Sequence, residues 1–140
     1  MSKQNFLRMM DTQTEIALAT SVDNVPNVRV VNFYYDKQKH ILFFATFANN
    51  PKVAEIDANA RVAFTTIPHS GNEHIKAQGI ARRSEKNIYD LQDHFINKIP
   101  EYKETIEHAG DFLIVFELIF TSAIVTLDLE NSEILSFTAV

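Results

Sequence analysis

Three side chains in the first half of the sequence carry the groups that hold a phosphate: Arg29, Thr46 and Lys52. The run Asn49-Asn50-Pro51-Lys52 reads as a helix start, because Asn is a good N-cap and Pro is favoured at the first helical position. A helix start presents unsatisfied N–H groups and the positive end of the helix dipole, and such ends bind anions. Lys52 would add a charge there, Thr46 a hydroxyl from the end of the preceding strand, and Arg29 a guanidinium able to grip phosphate in bidentate fashion. Together they would form a phosphate cradle without a glycine-rich loop. The same residues are also what an ordinary Asn-Pro helix start with two solvated surface cations would show, and spacing alone leaves both readings open.

The elements that must position these groups follow from hydrophobic periodicity. Phe6, Met9 and Met10 are spaced to cover one face of a short first helix, ended by Asp11 to Thr14. Ile16 to Thr20 alternates large and small residues as a strand packed on one side does. Asp23-Asn24 turns the chain into Val28 to Tyr35, rich in β-branched and aromatic residues, and Asp36 to His40 leads to a third strand, Ile41 to Thr46. A helix over Pro51 to Ala58 and a strand over Arg61 to Thr66 follow. Ile75 to Arg83 is a fifth strand, and Gly79 inside it signals a bulge or a close backbone approach.

Ser84-Glu85-Lys86-Asn87 opens a helix striped by Ile88, Leu91, Phe95, Ile96 and Ile99 and stopped at Pro100. A second helical piece carries Tyr102 and Ile106. Phe112 to Phe120 and Ala123 to Leu127 are apolar enough for strands buried on both faces, and Ile134 to Val140 supplies an edge strand. The first three strands are joined by turns too short for parallel crossovers. The fold class is therefore mainly β (α+β), a closed or nearly closed antiparallel barrel of six to seven strands with peripheral helices.

Composition narrows the chemistry. A chain of 140 residues, 46% of them hydrophobic, can enclose one core and is too short for two ordinary domains, so residues 1–140 are expected to form a single domain. Cysteine is absent, which excludes a thiolate nucleophile, disulfides and iron–sulfur or zinc–thiolate sites. The histidines His40, His69, His94 and His108 show no close ligand spacing, so no metal is expected. A net charge of −5 argues against nucleic acid as a partner, and any bound phosphate must be held by a few local donors. The longest apolar run, Phe112 to Phe120, contains Glu117 and is far shorter than the roughly 18 residues of a membrane span. Met1 to Met10 lacks the apolar core of a secretion signal, and a cytoplasmic protein is expected.

The order Pro26-x-x-Arg29-Val30-Val31, Phe44-Ala45-Thr46 with Lys52 six residues on, Asn59-Ala60-Arg61-Val62-Ala63-Phe64 and Gly79-x-Ala81 resembles the FMN-binding split barrel of the pyridoxamine 5′-phosphate oxidase-like family, from about Ile16 to Leu127. The resemblance implies an antiparallel split β-barrel binding flavin mononucleotide (FMN). It implies that Arg29 and Lys52 grip the FMN phosphate, that Val30, Val31 and Asn32 line the flavin, and that Ala45 and Thr46 lie against it. Where family members often carry a Ser-Arg pair, this chain has Asn50-Pro51; one phosphate donor is missing, with the Asn50 amide a partial substitute. A glutamine that approaches the ring in the oxidase branch is matched at about His74, which also reads as an ordinary loop-to-strand histidine.

The resemblance further implies a homodimer with the cofactor in the inter-subunit cleft, an association that the apolar richness of Phe112 to Leu127 would also suit. An FMN enzyme leaves electron transfer to the flavin ring, so no acid–base dyad is demanded and no catalytic residue is singled out. The expected function is an FMN-dependent oxidoreductase of unknown small-molecule substrate. Authentic pyridoxamine phosphate oxidases continue into a basic C-terminal segment, whereas this sequence closes on Ser136-Phe137-Thr138-Ala139-Val140, which speaks against vitamin oxidation. The alternatives are a non-catalytic flavin- or haem-binding module and a cofactor-free structural dimer.

Overall fold

A computed structural model describes residues 2–137. Helix α1 (Ser2–Thr12) buries Phe6, Met9 and Met10, the three residues whose spacing predicted it. Strand β1 (Glu15–Val22) runs through a two-residue turn into β2 (Val25–Asn32). Asp23 and Asn24 both take positive φ, 53° and 64°, the conformation that a tight hairpin matching strand twist requires. The turn fixes the register: Leu18 lies opposite Arg29, and Thr20 opposite Asn27.

After Phe33 the chain continues as β3 (Tyr34–Asp36), which pairs with β4 (Ile41–Phe47) instead of β1. The sequence reads Val28 to Tyr35 as one strand; the structure breaks it at Phe33, whose side chain is fully buried while the chain passes from one side of the barrel to the other. Helix α2 (Pro51–Ala58) and strands β5 (Arg61–Thr66) and β6 (His74–Arg83) follow. Next come helices α3 (Ile88–Lys98) and α4 (Tyr102–Ala109) with a single 3-10 turn, and strands β7 (Leu113–Ile119), β8 (Ser122–Thr126) and β9 (Ser132–Ser136).

The ladder order is β2-β1-β5-β6-β7-β4-β3, with β8 on β6 and β9 on β8. The described residues thus form nine strands and four α-helices, more than the six or seven strands and two or three helices predicted. The extra strands come from the break at Phe33 and from the short terminal pair. Of that pair, β8 matches the predicted strand Ala123 to Leu127 and β9 overlaps the predicted edge strand Ile134 to Val140, of which residues 138–140 lie outside the described part.

Strands β2 and β4 approach each other but share no ladder. The barrel is therefore joined at one end through β3 and split at the other. Its interior is filled by Phe6, Met9 and Met10 of α1 together with Ile16, Leu18, Phe44, Phe64, Phe116 and others. A second cluster lies outside, where Phe43 and Val115 meet the stripe of α3 and Tyr102 and Ile106 of α4. Alternation sends Phe43 to the helices and Leu42 and Phe44 to the interior, so β4 is buried on both faces. The apolar richness of β7 has the same cause: the chain's own helices cover it, and it carries no argument for a dimer.

Gly79 lies where β6 changes partner from β8 to β7. A Cβ there would stand 2.3 Å from the Ile119 carbonyl oxygen, so the glycine marks a close backbone approach.

Candidate functional site

The split in the barrel collects the polar groups. Because directly opposed residues share a face of the sheet, Arg29 on β2 points to the side of buried Leu18 and Thr20. Helix α2 lies across that end. Asn50 caps it, its side chain accepting from the Lys52 backbone N–H at 2.9 Å, and Pro51 occupies the first turn. Lys52 and Glu55, three residues apart on α2, share a face and both reach the strands.

Lys52 is only 4% exposed. Its Nζ donates to Thr46 Oγ1 at 2.9 Å, its one hydrogen-bond partner among the described residues. Burial, and after it the positive charge of Arg29, pull its pKa down to about 8, so the two cations are close enough to repel each other. Arg29 donates from Nη1 to Thr20 Oγ1 at 2.8 Å and from Nη2 to Glu55 Oε1 at 2.5 Å. Glu55 also accepts from Thr20 Oγ1 at 2.9 Å and from Asn27 Nδ2 at 2.7 Å. The Thr20 hydroxyl first, then Arg29 and Asn27, hold its carboxyl below the usual carboxylate range.

The structure thus gathers Arg29, Thr46, Asn50, Pro51 and Lys52 at one place. Other predicted residues diverge by simple alternation. Val31 is buried in the barrel interior and Val30 is 54% exposed on the opposite face; the two side chains cannot line one ligand, though their backbone can. Asn32 donates to the Thr14 carbonyl at 3.2 Å. Ala45 packs toward α3 and α4, away from Thr46. His74 is not part of the cluster: it pairs with Thr126, contacts the Asn72 carbonyl at 2.7 Å through Nδ1, and lies five residues, ~17 Å at strand rise, from Gly79 along β6.

Thr20, Asn27 and Glu55 belong to the cluster and were not singled out from the sequence. The signals were present. The Asp23-Asn24 turn sets Thr20 opposite Asn27, and Glu55 follows Lys52 by three residues.

A shallow groove of about 630 Å³ runs over the β1, β5 and β6 surface beside this end, lined by Ala19, Thr20, Arg61, Gln78 and Ile80 among others. Thr20 belongs to both groove and cluster. Among the described residues no group of His, Asp or Glu is placed to hold a metal ion, and no helix is long and apolar enough to cross a membrane.

Solved structures share this fold at low sequence identity. General Stress Protein 26 from Bacillus anthracis str. Sterne superposes with a TM-score of 0.76 at 15% identity, over 96% of this chain and 98% of that one. A heme binding protein from Mycobacterium smegmatis gives 0.77 at 10% identity over 97% of this chain, which spans 58% of the larger protein. A FAD-binding protein from Mesorhizobium loti gives 0.67 at 15% identity, over 88% and 90% of the two chains. No curated protein matches the sequence. The profile of the family described as pyridoxamine 5′-phosphate oxidase-like matches residues 9–132, and this chain belongs to that family.

Proposed function

We propose that the protein is an FMN-binding flavoprotein, an oxidoreductase of still unassigned substrate, whose phosphate anchor is the Arg29–Lys52 pair at the barrel split. The observation that carries this reading is Lys52. A buried ammonium with one hydroxyl partner and no carboxylate of its own is costly to keep charged, and a phosphate beside it and Arg29 would compensate both cations. The donor set fits: an ammonium with N–H groups to spare, a guanidinium, the Thr46 hydroxyl and the first turn of α2. When bound, FMN would supply the redox chemistry through its ring. The chain's contribution is to anchor the phosphate and to offer backbone along Val30 to Asn32 and Phe44 to Thr46 to the remainder of the cofactor.

A homodimer completes the proposal. Val28, Val30 and Ile80 are 69%, 54% and 44% exposed on the outer sheet face beside the groove, and apolar side chains of this size suit an interface. The FMN cleft would lie between two such faces. Replacing Val28 and Val30 together by Asp is expected to convert a dimer into a monomer in light scattering; an unchanged mass would move the interface elsewhere.

The cofactor is tested directly on purified protein. FMN gives two flavin absorption bands and a fluorescence that binding quenches. A sharp Soret band in the purified protein would instead favour haem, and a colourless protein that leaves added FMN fluorescence unchanged would end the flavin reading.

A further inference from the structure

We propose that Glu55 is a resident carboxylate occupying the phosphate seat, an internal ligand that an incoming phosphate must displace, and that Thr20 and Asn27 are part of that seat. The inference rests on the reading of Arg29 and Lys52 as the phosphate anchor, and adds to it what fills the anchor before a ligand arrives.

The geometry is that of an oxyanion site already in use. Three donors from two adjacent strands converge on one carboxylate: Arg29 Nη2 at 2.5 Å and Thr20 Oγ1 at 2.9 Å on Oε1, and Asn27 Nδ2 at 2.7 Å on Oε2. Arg29 Nη1 in turn steadies the Thr20 hydroxyl at 2.8 Å. A hydroxyl, an amide N–H and a guanidinium edge are as suitable for two phosphate oxygens as for two carboxylate oxygens. The seat opens to water, since the side chains of Arg29 and Glu55 are 22% and 19% exposed, so the carboxylate can leave toward solvent without unpacking the core.

Charge decides what the exchange does. With Glu55 in place, Arg29, Lys52 and Glu55 sum to one positive charge; with Glu55 turned out, two positive charges meet the ligand. A phosphate monoester carries about −1.5 to −2 at neutral pH, so it is better matched by the vacated seat. Its carboxyl is held below the usual range, which means that protonation does not vacate the seat near neutral pH and that the ligand itself must do so. Glu55 therefore lowers affinity for phosphates and selects ligands whose remaining contacts offset its displacement, a full mononucleotide over inorganic phosphate.

The test is titration of FMN, riboflavin and inorganic phosphate into the full chain and into Glu55→Gln, with Glu55→Asp as a second variant that keeps the charge and retracts it by one methylene. Glu55→Gln is expected to bind FMN at least about tenfold tighter, the equivalent of one charge-assisted interaction, with riboflavin unaffected because it lacks the phosphate. Glu55→Asp should show a smaller gain, and Thr20→Val in the Glu55→Gln background should reverse part of it. Equal or weaker FMN binding by both Glu55 variants, with the natural chain still binding, would overturn it and leave the anchor reading standing, Glu55 then serving to orient Arg29. No FMN binding by any folded variant would remove the anchor and the seat together.

Discussion

Lys52 and Lys98 are both drawn out of water, and their surroundings differ in a way that separates a site from a staple. Lys98 ends α3 and donates to the Met10 carbonyl at 2.9 Å and the Phe33 carbonyl at 3.0 Å, with its ammonium 3.5 Å from the centre of the Phe33 ring. It ties α1, α3 and the β2–β3 crossing together, and its donors and its charge both find partners within the fold. Lys52 has the Thr46 hydroxyl alone and a second cation nearby. Burial lowers the pKa of both, to about 7 for Lys98 and about 8 for Lys52, so a depressed pKa does not tell the two apart. Their partners do: one ammonium is satisfied by the protein, and the other is left for a ligand.

The comparison breaks most visibly at Lys98. Lys98→Met is expected to destabilise the protein by about 2–4 kcal/mol, because two carbonyls lose their shared donor in a part-buried setting. Denaturant unfolding measures it, and FMN affinity should not change. A stability loss below about 0.5 kcal/mol would show that water replaces the ammonium and that Lys98 is no staple.

Lys52 should behave in the opposite way. Lys52→Ala and Arg29→Ala are each expected to weaken FMN binding by about 1–3 kcal/mol, the range for a lost charge-assisted hydrogen bond. Lys52→Met should leave stability nearly unchanged, since removing an uncompensated buried charge offsets the lost contact with Thr46. Unaltered FMN affinity in both cationic variants would place the phosphate elsewhere.

These roles were unequally legible in the sequence. The local signals held: alternation in β1, the Asp23-Asn24 turn, Pro51 at a helix start and the α3 stripe each follow from short-range sterics and periodicity. What depends on where distant segments meet did not show. The break at Phe33 follows from the closure of one barrel end, which no local propensity encodes. Glu55 looks like a surface residue of a short helix until the β1–β2 hairpin brings Asn27, Arg29 and Thr20 against it. Lys98 was not singled out by spacing, because its bonds reach Met10 and Phe33, 88 and 65 residues away in sequence. Val30 and Val31 diverge because the period of two forbids neighbouring side chains one face.

The finest distinction between the two lysines is in their response to pH. Both have folded pKa values below the ordinary 10.5, so between those values the unfolded chain holds more protons, and what these two lysines contribute to the stability of the free protein rises with pH from about 7 to about 10. FMN binding should run the other way. Above pH 7 the phosphate keeps nearly constant charge, and Glu55, whose carboxyl is held below its ordinary range, stays ionised; Lys52, with its pKa drawn down to about 8, is the group that changes. Affinity should therefore decline as pH rises past about 8, with a slope approaching but not exceeding about tenfold per unit. Lys52→Met should abolish that decline and Lys98→Met should preserve it. A decline that survives in Lys52→Met and vanishes in Lys98→Met would reverse the assignment, making the satisfied lysine the one that senses the ligand.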